Sequence, residues 1–311
     1  MQRVQKAVAL RWIVLGCLLT GLVACAPSDY TDGITAFSTA VDKANSAEQT
    51  LTTAYQQSFL DTTISQAGKG NLSYVAPDFN KCNGVPGPYH AGDCAVRFGG
   101  AAAPVKPETS SMGSLTKYAA LLSSVTTDKS CSTLQADSKD IGTAIGGIAK
   151  ALGNPEAAAA ASAVATILST IGCEAIEAMQ LKILRNATAG ANPIIKQLVP
   201  IIANKDATLQ AFVINANVTQ LSGIALDYLK TNSTADLKQM VTLTQAIDQA
   251  QLAPSGPVIQ KLADLHQALT DDLASPNVTL KRVESDSQAL IASAGTVETA
   301  VKSLASPSKA H

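Results

Sequence analysis

Six cysteines and three histidines carry the most distinctive side-chain chemistry of this 311-residue chain. A thiol can form a disulfide, accept an acyl chain or bind a metal ion, and an imidazole can bind a metal ion or transfer a proton. Metal sites usually contain closely spaced ligand pairs, but the sequence has neither a Cys-x-x-Cys nor a His-x-x-x-His motif. The cysteines therefore favour covalent chemistry, and the sequence around each of them indicates which kind.

The first 24 residues have the pattern of a secretory signal. Three basic residues come first, and an apolar run from Trp12 to Val23 follows. This run is too short to span a bilayer, so it favours a removable signal over a transmembrane helix. The run ends in Leu22-Val23-Ala24-Cys25, which resembles the lipobox of bacterial lipoproteins.

The resemblance implies that Cys25 is the first residue of the mature protein and its membrane anchor. In that family diacylglycerol is attached to the thiol, cleavage occurs just before the cysteine, and the new amine can receive a further acyl chain such as palmitate. Ala26 is not the aspartate that resembles an inner-membrane retention signal. The expected location is therefore the periplasmic face of the outer membrane, with the lipid on Cys25 and no cofactor.

The charge of the chain argues against nucleic acid as a partner. Without the signal, 20 basic residues stand against 24 acidic residues, a net charge of −4, and no basic patch is interleaved with aromatic residues. Aromatic residues make up only 4% of the chain, and alanine is abundant. This composition favours helices over sheets.

Four cysteines remain after the signal and the lipid anchor are assigned, and an exported chain is expected to pair them as two disulfides. The turn at Gly153-Asn154-Pro155 lies midway between Cys131 and Cys173, so the two thiols should lie at one height in an antiparallel helical hairpin. This geometry favours Cys131–Cys173 and leaves Cys82–Cys94 as the second pair. A metal site formed by Cys82 and Cys94 with His90 and Asp93 is the alternative, and no metal is expected.

Helix signals cover most of the mature chain. Three pairs place a capping side chain before a proline, which suits the start of a helix: Asn154-Pro155, Asn192-Pro193 and Ser275-Pro276. Ser233 and Asp236 resemble a capping box, and Pro200 should kink or split its helix. The sequence predicts an all-α, elongated bundle of long antiparallel helices at 32–66, 114–125, 131–152, 155–185, 193–230, 234–252, 257–273 and 276–304.

The first and last predicted helices carry matching apolar stripes. Alternating steps of three and four residues connect Ile34 to Tyr55, with Glu48 as the polar exception, and the same steps connect Leu280 to Leu304. Such stripes are typical of paired helices and coiled coils. We expect these two helices to pack together and to place the two chain ends side by side.

Residues 67–113 differ in composition from the rest of the chain. Glycine, proline and asparagine are frequent, so the segment predicts an irregular excursion, with short strands at 72–75 and 95–98, pinned by Cys82–Cys94. The expected organisation is a signal at 1–24, a lipidated leader at 25–31, one helical domain at 32–305 with a hairpin at 131–185, and a tail at 306–311.

The hairpin is unusually apolar. Between Asp140 and Glu174 the only charged residues are Lys150 and Glu156, both at the tip. One interpretation of segment 141–172 is a membrane-perturbing hairpin of the pore-forming kind, and the other is a close-packed pair inside a bundle. Length favours burial, because the uncharged stretches are shorter than the ~20 residues that a membrane span needs.

Motifs of catalysis are missing from the sequence. It contains no Gly-x-Ser-x-Gly, Walker or dinucleotide-binding motif, so it predicts that the protein is not an enzyme. His266 is interpreted as a partly covered helix residue, and Asp271-Asp272 as a solvated helix end.

The preferred function is a membrane-tethered, non-enzymatic scaffold or adaptor that binds another envelope protein. Loops displayed on rigid elements often bind partners, so the candidate contact residues are Tyr89, His90 and Phe98. Two alternatives are a membrane-perturbing protein that acts through segment 141–172 and a carrier of lipid or another small ligand.

Overall fold

Helices form most of the part of the chain that the structure describes. The computed structural model describes residues 28–70, 74–75, 97–98, 109–128, 130–173 and 175–305. In chain order the elements are α1 (Ser28–Gly68), β1 (Tyr74–Val75), β2 (Arg97–Phe98), α2 (Thr109–Thr127), α3 (Cys131–Leu152), α4 (Pro155–Ser169), α5 (Ile176–Thr231), α6 (Thr234–Leu252), α7 (Ser255–Ala274) and α8 (Lys281–Ala305). The predicted all-α bundle is confirmed.

The apolar stripes of α1 and α8 pack against each other, as the sequence predicts. The two helices run in the same direction. Gly33 near the start of α1 lies against Leu280, while Ala305 at the end of α8 lines a groove with Ala54 and Ser58 of α1. The expected side-by-side position of the chain ends is therefore wrong, because a heptad stripe specifies a partner face and not a direction.

The helices from α2 to α6 alternate in direction, whereas α6 and α7 both run antiparallel to α5. The hydroxyl oxygens of Thr35 and Ser123 lie 3.4 Å apart, so α2 runs antiparallel to α1. The hydroxyl of Tyr30 in α1 donates to Gln180 in α5, and further along Lys205 in α5 pairs with Glu48 in α1, so α5 runs parallel to α1. We call the end that contains Ser28 the proximal end, and the end that contains Gly68, Thr231 and Ala305 the distal end.

The α3–α4 hairpin forms as the sequence predicts. Cys131 and Cys173 form a disulfide at its base, with their Cα atoms 5.7 Å apart. Ser130 caps α3, Asn154 caps α4, and Gly153 between them has a φ of 61°. The hydroxyl of Ser138 donates a hydrogen bond of 2.8 Å to the carbonyl oxygen of Leu168 and joins the two arms.

The predicted helix from 155 to 185 is wrong, because α4 ends at Ser169 and α5 begins at Ile176. The break brings Cys173 to Cys131 and reverses the chain into α5. The sequence signals this break only through Gly172 and the cysteine itself.

The predicted helix start at Asn192-Pro193 is also wrong, since α5 continues through both Pro193 and Pro200. The Asn192 side chain does not cap the backbone. Its amide donates to Gln267 Oε1 at 2.7 Å, and its oxygen lies 3.2 Å from Nδ1 of His266. Packing against α7 on this face stabilises the helix across the site where a proline removes a backbone donor.

Two further boundaries differ from the prediction. The helix expected at Ser275-Pro276 begins at Lys281, because Ser275 Oγ accepts a hydrogen bond from the backbone N–H of Asn277 and closes a local turn instead. The irregular segment expected to reach residue 113 ends earlier, because α2 begins at Thr109.

Two short strands interrupt that segment. Tyr74 pairs with Phe98 and Val75 pairs with Arg97 in an antiparallel arrangement, within the predicted strand ranges. The remainder of 71–108, including Cys82 and Cys94, lies outside the described residues, as do Cys25, Ala26 and Pro27. The expected leader at 25–31 is too long, because residues 28–31 belong to α1 and Tyr30 is buried.

Two apolar cores follow each other along the bundle. The proximal core extends in α1 to Ala44 and in α5 to Ala203, and the distal core begins at Ala47 and Leu209. At their boundary lie the buried polar residues Glu48, Asp206, Gln210 and Ser255, together with Lys205. We call these five residues the polar layer.

Candidate functional site

The residues predicted to contact a partner fall mostly outside the described part of the chain. Tyr89 and His90 lie there, and for Phe98 only the backbone in β2 is described. No group of three or more His, Cys, Asp or Glu that could hold a metal ion occurs among the described residues. The structure therefore directs attention to the buried polar groups and to the exposed apolar surfaces of the bundle.

His266 is fully buried, so the expectation of a partly covered residue is wrong. Its Nδ1 lies 3.2 Å from Asn192 Oδ1, and its Nε2 lies 3.0 Å from the hydroxyl of Tyr118. Since the amide oxygen only accepts, Nδ1 carries the proton and Nε2 accepts the Tyr118 hydroxyl. Burial, aided by the charge of Lys196, lowers the pKa of His266 to about 3, and the neutral ring fits this arrangement.

The Phe37 ring packs against the His266 ring in a T-shaped arrangement, with ring centroids 5.8 Å apart. Asn192 and Tyr118 together engage both ring nitrogens of His266. The role of this histidine is to join α2, α5 and α7 inside the proximal core.

The polar layer contains an ion pair and a neutral acid. Lys205 Nζ lies 3.1 Å from Glu48 Oε1. Asp206 is only 1% exposed, and its Oδ1 has no hydrogen-bond partner among the described residues. Burial, reinforced by the Glu48 charge and opposed by Lys205, raises the pKa of Asp206 to about 8. The carboxyl is therefore protonated at neutral pH.

Gln210 connects the polar layer to the break between α6 and α7. Its amide nitrogen donates to the carbonyl oxygens of Ala250 and Ala253 at 2.8 and 2.9 Å, and its oxygen accepts the Ser255 N–H at 2.7 Å. One side chain thereby satisfies the end of α6 and the start of α7.

The distal end exposes apolar side chains on two connected helices. We call residues 218–242, which form the end of α5, the turn and the start of α6, the distal arm. Leu226 is 60% exposed and Leu229 is 74% exposed. Val218, Leu237 and Val241 are exposed as well. Exposed apolar side chains that cluster on one part of a protein often mark an interaction site.

A groove runs beside the base of the distal arm. It has a volume of about 680 Å³ and lies between α1 and α5, with the end of α8 at its lower edge. Its walls include Ala54, Gln57, Asp61, Lys69, Ala216, Asn217 and Gly223. Sequence reasoning missed this surface, because it depends on where α8 ends relative to α1.

The α3–α4 hairpin packs into the bundle. Val164 in α4 contacts Gly190 in α5, and Gly147 in α3 faces Ser114 in α2. Its outer side has a cleft of about 520 Å³ lined largely by glycine and alanine, with Lys150 near the tip. Among the described residues, no helix combines the length and apolar character needed to cross a membrane.

The fold and its surfaces thus define a class: an all-α bundle with a disulfide-closed hairpin and a protruding helical arm. Comparisons with protein-family models, with curated proteins and with solved structures each found no match to this chain.

Proposed function

We propose that the protein is a lipid-anchored, non-enzymatic scaffold of the bacterial cell envelope, and that its distal arm binds another envelope protein. The single observation that carries this proposal is the position of the exposed leucines Leu226 and Leu229, at the opposite end of the bundle from Ser28. Cys25 precedes Ser28 by only two intervening residues, so a lipid there holds the proximal end at the membrane.

The length of the helices supports a role in reaching away from the membrane. With 41 residues, α1 extends about 60 Å, and the 56-residue α5 extends about 84 Å. The exposed leucines lie near the end of α5. An apolar surface at this distance from the membrane is suited to a protein partner in the periplasm.

The buried polar groups support a structural role over a catalytic one. His266 and Tyr118 are fully buried and bind each other, and Lys205 is paired with Glu48. An acid–base catalyst has to reach a substrate, and these side chains contact protein groups instead.

Two experiments test the proposal. Labelling with a palmitate analogue should modify the wild-type protein and not Cys25→Ser. A photo-crosslinking amino acid at Leu229 should capture one stoichiometric envelope protein, identified by mass spectrometry, whereas the same group at exposed Lys139 should capture none. Equal yields at both positions, or an unlabelled wild type, would contradict the proposal.

A lipid or small-ligand carrier is the second candidate. The cleft between α3 and α4 favours it, because about 520 Å³ lined by Gly142, Gly146, Ala161 and Ala165 is in the range of ligand pockets. Native mass spectrometry of protein purified from membranes tests this function, and an adduct lost in Gly146→Leu would support it. The membrane-perturbing alternative has less support, since the inner faces of both hairpin arms are covered by α2 and α5.

A further inference from the structure

The two cysteines of the hairpin disulfide lie in different surroundings. Cys173 is exposed and belongs to the short connection between α4 and α5. Cys131 is half-buried, is the first residue of α3 and packs against the proximal core. An external thiol therefore approaches the disulfide more readily from the Cys173 side.

The position of Cys131 favours this residue as the leaving group. It is the first residue of a helix of 22 residues, and the side chain of Ser130 accepts the N–H of Thr133. The first backbone N–H groups of a helix stabilise negative charge beside them, and thiols at helix N-termini have a lowered pKa. In thiol–disulfide exchange, the sulfur of lower pKa leaves faster. The disulfide is therefore arranged for attack at Cys173 and departure of Cys131.

Two features act in the opposite direction. The side-chain amide of Gln135 donates to Cys173 Sγ at 3.8 Å, but a single neutral donor at this distance contributes less than the aligned N–H groups of a helix start. Asp128 lies three residues before Cys131, and burial and Asp137 raise the pKa of its carboxyl, so negative charge is disfavoured there. The order of the two thiol pKa values reports the balance of these effects.

Other contacts hold Cys173 close to Cys131 when the disulfide is open. Ile171 is 5% exposed and packs into the proximal core, and the hydroxyl of Ser138 in α3 donates to the carbonyl oxygen of Leu168 at 2.8 Å. These contacts hold the end of α4 against α3 without the cross-link. The disulfide can therefore open and close again while the hairpin stays folded.

We propose that Cys173 is a thiol–disulfide exchange site, at which an external thiolate attacks and Cys131 leaves as a thiolate. Exposed disulfides are commonly the labile ones. The inference goes beyond the proposed scaffold function and shares with it only the export of the chain. It makes the cross-link at the base of the hairpin a reversible modification site.

The exchange is balanced in atoms and electrons. The incoming thiolate forms a new S–S bond with Cys173 Sγ, the bond to Cys131 Sγ breaks, and its electron pair stays on Cys131. If the nucleophile belongs to a dithiol, its second thiolate then displaces Cys173, and the dithiol is oxidised to a disulfide. Both cysteines end as thiols, and they carry the two protons that the dithiol has lost.

The first test uses reduced glutathione as the nucleophile and the full lipidated chain in detergent. Short reactions at pH 8 are quenched with acid, and peptide mass spectrometry locates the glutathione. We expect at least about fivefold more glutathione on Cys173 than on Cys131, and nearly equal amounts after unfolding in urea. No adduct on the folded chain, equal adducts, or an excess that persists in urea would overturn the inference.

A matched pair of variants tests the leaving group. Cys173→Ser leaves the Cys131 thiol free, and Cys131→Ser leaves the Cys173 thiol free. The rate of alkylation by iodoacetamide as a function of pH gives the pKa of each thiol, and we expect the lower value for Cys131. The opposite order of the two values would overturn the inference.

The source of the thiolate is identified in cells that express Cys131→Ser, after acid trapping of mixed disulfides. A protein-sized adduct on Cys173 identifies a dithiol protein as the source, and a small adduct identifies a low-molecular-weight thiol. Both results support the inference, whereas an unmodified Cys173 would overturn it. None of these assays involves the distal arm, so the inference can fail while crosslinking at Leu229 still supports the scaffold function, and the reverse also holds.

Discussion

The phenolic oxygen of Tyr118 in α2 lies 3.0 Å from Nε2 of His266 in α7, inside the proximal core. Because Nδ1 donates to Asn192, the tyrosine hydroxyl is the donor to Nε2. The contact therefore joins three helices through one neutral histidine.

The first prediction concerns this hydrogen bond. Tyr118→Phe leaves Nε2 of His266 buried without a donor, so the free energy of unfolding should fall by about 1–3 kcal/mol. Denaturant unfolding at pH 7 measures this change. Tyr55→Phe is the control, since Tyr55 is half-buried, and its substitution should change stability less. Equal effects of the two substitutions would contradict the assignment.

The second prediction concerns the pH dependence caused by Asp206. Its pKa is about 8 in the folded protein against an ordinary value of 3.8, so the folded state retains a proton that the unfolded state loses. This contribution to stability is complete below pH 3.8 and is lost as the pH rises to about 8, by at most about 1.4 kcal/mol per pH unit.

Asp206→Asn should therefore leave stability at pH 4 almost unchanged and increase it progressively toward pH 8. Unfolding curves of the wild type and the variant between pH 4 and pH 8.5 provide the measurement. His266 acts in the opposite direction below pH 6.5, so the variant and wild type must be compared at each pH. A constant difference across the range would contradict the prediction, and exposed Asp248→Asn is the control.

The third prediction concerns the clasp at the base of the hairpin. Replacing Cys131 and Cys173 by serine removes a cross-link with a sequence separation of 42, which should lower stability by about 4 kcal/mol on the chain-entropy estimate. Thermal unfolding of both proteins tests this. An unchanged midpoint in the double variant would show that the disulfide contributes nothing to the folded state.

The fourth prediction compares two glycines in α5. A Cβ atom at Gly190 would lie 2.2 Å from Cγ2 of Val164, whereas one at Gly223 meets nothing within 4 Å. Gly190→Ala should therefore destabilise the protein by about 1–3 kcal/mol, and Gly223→Ala should stabilise it by up to about 1 kcal/mol. Chemical denaturation of the two variants checks the signs, and a gain in stability for Gly190→Ala would contradict the packing of α4 on α5.

Local signals predicted some elements to the residue. α3, bounded by Cys131 and Leu152, and α6, which follows the Ser233 cap, both agree with the sequence-based ranges. Cys131 and Cys173 are also about equally distant from the turn at Gly153, and the sequence predicted from this spacing that they pair. In each case the determining interaction lies within one or two helices.

Elements that depend on tertiary contacts were not predictable in the same way. Asn192 has the sequence of a helix cap, but its side chain binds α7. The direction of α8 relative to α1 follows from packing and not from either stripe. The polar layer had one visible signal, the break in the heptad at Glu48, but the stripe does not identify Asp206 and Lys205 as its neighbours.

The polar layer also has a consequence for how the molecule comes apart. The buried apolar residues form two separate clusters, and the polar layer of α1, α5 and α7 lies at their boundary, so the two halves share few of the interactions that would make them melt together. The bundle should behave as two foldons, and amide hydrogen exchange should give the distal half its own, lower opening free energy while the proximal half stays protected.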